Sequence, residues 1–479
     1  MNNIILPIII PLIGAVAAIA SLKRLRILLE GSAFLFASLN LILAIMLFKE
    51  KFSLNIPWAL GLEFSLRLYH FSAFILLCVA GFGFLVTLYS LAFLREKKYA
   101  NQFYGYLFFT LAFANGAVLA DNLILMLFFW EGLLLTLFGM IAIGKKEAFY
   151  TATKAFIIVG ISDLCLMLGI ALTTYLAGTA KISQIHLPLN TLGSIAFVLL
   201  MIGAISKAGS MPFHSWIPDA AIDAPLPFMA ILPAALEKLL GIYLLTRITL
   251  DMFSLTAHSA MSILLMSIGV ITIILAVMMA LIQKDFKRLL SYHAISQVGY
   301  MILGIGTAVP VGIVGGLFHM VNNALYKSCL FLTGGAVEKQ TGTTSLEKLG
   351  GLGKKMPITF ICFLITAAAI SGVPPFNGFF SKELIYDGAL ERGKIFYLAA
   401  IIGSFLTAAS FLKLGHAAFL GKPNEQNKNT REVPFSMLVP MITIAAICII
   451  FGVFNFLPIK YLIQPILGEG RLEGHNFSG

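Results

Sequence analysis

Apolar stretches long enough to cross a bilayer recur along nearly the whole length of this chain. Roughly fourteen runs of about 20 residues centre near positions 12, 38, 83, 112, 133, 163, 202, 238, 270, 299, 322, 370, 408 and 447. Hydrocarbon holds no water for an unpaired backbone group, so only helices and closed barrels span it. Runs of this length predict an all-α polytopic membrane protein of about 14 transmembrane helices. With 59% hydrophobic and only 11% charged residues, the chain falls well short of the charge of a soluble domain, about 25%. Its only sizeable hydrophilic stretches are 421–432 and the tail after Gly468, which leaves a single transmembrane domain, 1–479.

The net charge of +11 is no sign of nucleic-acid binding, because the cations alternate between loops. Lys23, Arg24 and Arg26, then Arg95, Lys97 and Lys98, Lys145 and Lys146, Lys284, Lys287 and Arg288, Lys339, Lys348, Lys354 and Lys355, and Lys422, Lys428 and Arg431 fill one set of loops. The opposite set is poorer. Positive charge concentrates on the cytoplasmic side, and an even number of spans then places both termini outside. The first apolar run has its basic residues after it rather than before it, so it reads as a retained helix and not as a signal peptide.

Cys78, Cys165, Cys329, Cys362 and Cys448 each stand alone in apolar segments. Iron–sulfur and zinc sites need closely spaced thiolates. Lys355 stands where a phosphate-binding loop after Gly350 and Gly351 needs Ser or Thr. No cofactor and no metal are expected in this chain.

The charges inside the spans carry the functional signal. Charged side chains at membrane depth cost about 2.5–3.5 kcal/mol on insertion scales and mark ion pathways or buried pairs. Glu131 lies in the middle of the fifth run, either as a protonated group bonded to a neighbouring helix or as the counter-charge of Lys207. Lys207 precedes Gly209, Pro212, His214 and Pro218, the marks of a broken helix. Lys382 follows a second break at Gly372, Pro374, Pro375 and Gly378, and snorkelling to the surface is its alternative. Interrupted segments at corresponding places in two halves point to a repeat-built transporter.

His319, Asn323 and Lys327 are spaced i, i+4, i+8 and stack on one helix face. They read as a proton path or as polar glue between helices. Glu237 and Lys238 are adjacent, so one is expected to face the interior while the other pairs or snorkels. Glu383 points about 100° away from Lys382 and need not pair with it. His214, Lys154, Asp163, Asp219, Asp223, Lys413 and His416 are weaker candidates, the last two for an exit path.

With these residues in place, the chain resembles the antiporter-like membrane subunits of respiratory complex I, Mrp-type cation/proton antiporters (their D-type component among them) and membrane-bound hydrogenases. The stretch 206–224, containing Lys207, Pro212, Phe213, His214, Trp216, Pro218, Asp219 and Ala220, is similar to the family's signature, and 285–300 and 378–382 match two further stretches in order. The resemblance implies two inverted five-helix repeats, helices 4–8 and 9–13, with helices 7 and 12 broken. The expected boundaries are about 1–100 for helices 1–3, 101–250 and 251–420 for the repeats, and 435–458 for helix 14.

It also implies roles: Glu131 and Lys207 as the glutamate–lysine pair, Lys327 as the central lysine, Lys382 as the terminal one, and His319 beside them. Asn323 replaces a histidine of many members, and Lys238 takes over as the relay in helix 8. The function implied is translocation of protons, or sodium, along this chain. It would be driven by redox chemistry in peripheral partner subunits carrying iron–sulfur clusters or a nickel–iron centre, alongside other antiporter-like and small membrane subunits. The alternative is an Mrp-type antiporter with no redox partner.

Overall fold

The computed structural model describes residues 3–21, 26–57, 63–145, 147–424, 427 and 429–468. The helices are α1 (Leu6–Ala20), α2 (Arg26–Leu47), α3 (His70–Phe93), α4 (Ala100–Leu119), α5 (Leu123–Ala142), α6 (Ala148–Ala177), α7 (Thr191–Ala208) and the short α8 (Ile217–Asp223). Next come α9 (Leu226–Ile231) and α10 (Glu237–Thr246), which π turns at Leu232–Leu236 and Arg247–Met252 join into one continuous segment. Then follow α11 (Ala260–Leu281), α12 (Phe286–Gly306), α13 (Pro310–Thr341), α14 (Pro357–Ser371), α15 (Asn377–Arg392), α16 (Lys394–Gly415) and α17 (Phe435–Val453). The short α18 (Phe456–Pro458) and α19 (Gln464–Leu467) close the described chain.

Each predicted apolar run coincides with one of these segments. Ten of them are long and apolar enough to cross a membrane by length and composition alone. α4, α12 and α13 have the length but carry more polar residues, and α14 is short because the chain breaks after Ser371.

The ends of the helices follow from local chemistry. Asn122, Asn190 and Asp285 cap α5, α7 and α12, each accepting hydrogen bonds from the first-turn amides. α7 and α14 stop at Gly209 (φ 82°) and Gly372 (φ 77°), whose left-handed backbone a side chain strongly disfavours. A proline-rich turn then follows each one, so the two breaks are built alike.

A hairpin of two strands interrupts the helices between α2 and α3. Phe52–Pro57 (β1) and Glu63–Leu68 (β2) pair antiparallel, with Phe52 opposite Leu68 and Pro57 opposite Glu63. Phe52, Leu54 and Ile56 alternate with Ser53 and Asn55, a period-two pattern too short to register beside the apolar runs. The side chains of Leu66 and Leu68 are buried, whereas β1 is largely exposed.

Every residue of Leu226–Met252 but Asp251 is buried, and so is most of α13. These two central elements pack against each other, while α1, α2, α6 and α16 leave wide apolar faces outward. The basic loops gather on one face. Lys339 Nζ donates to Ala92 O at 2.8 Å, Lys355 Nζ to Asn427 O at 2.6 Å, and Lys284 pairs with Glu347 at 2.9 Å. A polar cleft of about 620 Å³ opens there, lined among others by Lys97, Lys145, Asp223, Glu338 and Lys339. The hairpin lies at the other end of α3, where His70 Nε2 meets Leu462 O at 3.0 Å.

Candidate functional site

Among the described residues five lysines are almost wholly buried; Lys287 pairs at 2.8 Å with Glu338, a lining residue of the basic-face cleft, and the other four carry the candidate site. Lys207 is 2% exposed, Lys238 0%, Lys327 0% and Lys382 1%. Lys207 and Lys382 stand at the two helix breaks, the Lys238 ammonium lies close to the first of them, and the Lys327 ammonium lies against the Leu290 carbonyl of α12.

Lys207 ends α7. Its Nζ stands 4.0 Å from Asp163 Oδ2, 3.5 Å from Trp130 O and 4.9 Å above the Trp130 ring. Trp130 Nε1 donates to Asp163 Oδ1 at 3.0 Å, so one indole fixes both members of the pair. The direct ion pair is therefore with Asp163 on α6. Glu131, assigned that place from sequence, is half-buried, and its Oε1 has no hydrogen-bond partner among the described residues. Its charge still reaches both Asp163 and Lys207. Trp130 and Glu131 are consecutive on α5, about 100° apart on the helix. The indole turns inward and the carboxylate toward the flank, where Phe128 and Leu135 are exposed.

Glu237 and Lys238 are both buried, so neither snorkels, one of the two outcomes expected for the residue that does not face the interior. The helix carrying them is surrounded on every side, so it has no lipid face for either. Lys238 Nζ reaches the first break, where a Cβ added to Gly209 would stand 3.0 Å from it. Neither Lys238 Nζ nor Glu237 Oε2 has a hydrogen-bond partner among the described residues. The charges of Lys207 and Lys238 both reach Glu237, and that of Lys238 reaches Lys327.

On α13, Lys327 Nζ donates to Leu290 O at 3.0 Å and lies 5.4 Å above the Phe411 ring. Asn323 Nδ2 donates to Ala234 O at 3.3 Å, a carbonyl in the π turn that contains Pro233. His319 is held at both ring nitrogens: Nδ1 lies 2.9 Å from Ser381 Oγ, and Nε2 3.1 Å from Gln297 Oε1 and 3.2 Å from Tyr326 Oη. At the second break, Lys382 Nζ donates to Ile370 O at 2.8 Å and to Ser404 Oγ at 2.9 Å, and lies 5.1 Å above the Tyr300 ring. Ile370 O is a last-turn carbonyl of α14, freed by the break. Lys382 does not snorkel.

The other candidates lie off this chain. Glu383 is exposed on α15 and makes no pair with Lys382. Lys413 and His416 are exposed as well, and Lys413 Nζ donates to Leu281 O and Gln283 O at 2.7 and 2.8 Å, closing the end of α11. His214 is half-buried in the turn between α7 and α8, its Nδ1 unpartnered among the described residues. Asp219 joins Lys154 at 2.7 Å to Arg288 at 3.0 Å.

Sequence reasoning passed over His293. It is fully buried on α12, with Nε2 2.8 Å from Ser410 Oγ. Its signal was the polar series Ser291, His293, Ser296, Gln297 and Tyr300 within a membrane helix.

A family model described as NADH:quinone oxidoreductase/Mrp antiporter, TM matches residues 120–407. Among curated relatives, the A1 subunit of the Na(+)/H(+) antiporter of Staphylococcus haemolyticus is 34% identical over 463 residues, covering 88% of this chain and 57% of that protein. Its counterpart in the Na(+)/H(+) antiporter of Alkalihalophilus pseudofirmus is 33% identical over 465 residues, with 87% and 57% covered. The chain thus spans little more than half the length of these relatives. Among solved structures, a chain of the Mrp complex from Dietzia sp. DQ12-45-1b superposes with a TM-score of 0.86 at 22% identity, covering 98% of this chain and all of that one. A chain of the membrane-bound sulfane sulfur reductase, an archaeal respiratory membrane complex, gives 0.86 at 25% identity, covering 96% and 78%. Respiratory complex I from Thermus thermophilus gives 0.84 at 19%, covering 97% and 100%.

Proposed function

Because this chain belongs to the NADH:quinone oxidoreductase/Mrp antiporter transmembrane family, we propose that it is the ion-translocating, antiporter-like subunit of a multi-subunit membrane complex. The observation that carries this reading is the set of four buried lysines distributed over both halves of the chain, two of them at breaks of like construction. A chain that only scaffolds a complex has no reason to bury cations that cost several kcal/mol each.

The ion is a proton, handed between groups that desolvation makes able to alternate between charged and neutral. Asp163, with Glu131 next to Trp130, holds the charge of Lys207. A charge arriving from a neighbouring subunit loosens that pair. Lys207 then passes its proton by way of Glu237 and Lys238 to Lys327, and onward past His319 to Lys382. The cleft on the basic face supplies water to one side of the chain. One elementary charge moved against 100 mV costs about 2.3 kcal/mol, so a driving reaction elsewhere is required. Redox partner subunits that carry iron–sulfur clusters or a nickel–iron centre supply it. Likeness to a chain of a respiratory complex at 25% identity supports this.

A second reading is favoured by the curated relatives: one component of a cation/proton antiporter with no redox partner. The subunits that co-purify with this chain separate the two. Lys207→Ala tests both at once, with an expected fall of tenfold or more in proton transport by the assembled complex in inverted vesicles. Wild-type transport by an assembled Lys207→Ala complex removes the core of the proposal.

A further inference from the structure

The buried chain has a gap between its last two lysines. Lys327 Nζ bonds Leu290 O, and Lys382 Nζ bonds Ile370 O and Ser404 Oγ, so they share no partner. His319 does not fill the gap. Both of its nitrogens are already engaged, by Ser381 on one side and by Gln297 and Tyr326 on the other.

His293 is differently placed. Its Nδ1 is buried and has no hydrogen-bond partner among the described residues, while Nε2 meets Ser410 Oγ at 2.8 Å. The charges of both Lys327 and Lys382 reach it. Leu290, whose carbonyl holds Lys327 Nζ, lies three residues earlier on the same helix, less than one turn from the imidazole. The Phe411 ring lies beneath both groups, 5.4 Å from Lys327 Nζ and 4.8 Å from the His293 ring.

Ser410 belongs to α16, which also presents the buried Thr407 and then Ser404, the hydroxyl bonded to Lys382. At three-residue spacing these hydroxyls are neighbours on the helix surface, about 5–6 Å apart at Cβ. One bridging water closes such a step.

Building on the function proposed above, we propose that His293 is the proton carrier between Lys327 and Lys382, working through the hydroxyl row Ser410, Thr407 and Ser404. With Nε2–H donating to Ser410, Nδ1 presents a free lone pair. The Lys327 ammonium gives one proton to Nδ1 and becomes the neutral amine. The imidazolium then releases its Nε2 proton to Ser410 Oγ. Each hydroxyl and bridging water accepts one proton as it releases one, and the neutral Lys382 amine takes the last. Exchange of the remaining ring proton from Nδ1 to Nε2 resets the imidazole. His319 becomes a positioning residue, holding Ser381 and thereby Lys382.

The test is proton transport by the assembled complex in inverted vesicles, normalised to the quantity of this chain. Glutamine at 293 keeps an amide donor for Ser410 but cannot accept and release a proton at neutral pH. His293→Gln is expected to transport at least tenfold more slowly. A wild-type rate in His293→Gln makes His293 a structural bond to α16 and overturns the proposal. Ser410→Ala, a smaller change, decides the matter if His293→Gln does not assemble. A loss of fivefold or more supports the path, and an unchanged rate overturns it.

Lys382→Arg is measured in parallel, because an arginine is essentially never neutral in a protein. Loss of transport in Lys382→Arg and Lys207→Ala with full activity in His293→Gln rejects this relay alone. Full activity in both lysine variants rejects the wider function, and the relay with it.

Discussion

Asp163 and Lys207 are each about 2% exposed, so water does little to screen the 4.0 Å between them. At an effective dielectric of about 20, two unit charges at that distance attract by about 4 kcal/mol. Removing one member of such a buried pair typically costs about 3–5 kcal/mol, because the other is left unpaired. Asparagine at 163 keeps the acceptor for Trp130 Nε1 and removes the charge. Asp163→Asn is therefore expected to slow transport by tenfold or more and to lower the melting temperature of the complex. Glu131→Gln, which removes a half-buried carboxylate that touches neither partner directly, should cost less on both counts. Transport rates and melting curves of the two variants, side by side, check the ranking. A larger transport loss in Glu131→Gln returns the tuning role to the residue the sequence singled out. The sequence drew attention to Glu131 because a charge beside Trp130 at mid-span is conspicuous. Asp163 stands at the centre of the sixth run, but nothing in the sequence tells which helix its carboxylate faces.

The two breaks show how an element turns a sequence into a site. Gly372 takes φ 77°, and a Cβ there would stand 3.2 Å from Lys382 Cδ. Left-handed backbone costs a residue other than glycine roughly 1–2 kcal/mol. Gly372→Ala thus adds strain and pushes on the lysine it was made to receive. Gly209→Ala presses on Ile217 Cδ1 at 2.6 Å and on Lys238 Nζ at 3.0 Å. Both variants are expected to lower thermal stability by about that amount and to reduce transport more than stability alone explains. Unchanged transport in both would mean the lysines do not need these seats.

Breaks of this kind are legible beforehand, since glycine and proline near a lysine inside an apolar run fit poorly anywhere but at an interrupted helix. The hairpin of β1 and β2 was not, because its period-two pattern covers only a few residues between stronger signals. His293 was missed for a related reason. Its motif, from Asp285 to Tyr300, served to recognise the family, and a histidine inside a matching stretch attracts no separate question. What it faces is set by α16, more than a hundred residues later. The side on which Glu237 and Lys238 lie was equally out of reach, because only the packing shows that their helix has no lipid face.

At the scale of the molecule, the alternation of basic and less basic loops in the sequence becomes a separation of faces. Lys284, Lys339 and Lys355 gather with the polar cleft at one end of the bundle. The hairpin, the start of α3 and the segment through Leu462 gather at the other. Positive charge is retained on the cytoplasmic side during insertion, so the basic face should be cytoplasmic and the hairpin end outside. Glu347 on the basic face is 66% exposed at its side chain, and Lys51, just before β1, is exposed on the other. A single cysteine at each position probes the two faces with a membrane-impermeant maleimide, in a background where the five native cysteines are replaced by serine or alanine. In intact cells Lys51→Cys should label and Glu347→Cys should not, and in inverted vesicles the pattern should reverse. The direction also bears on the relay, because it says which compartment the polar cleft opens to. Labelling of Glu347→Cys from outside intact cells would turn the molecule over and place the polar cleft on the outer face.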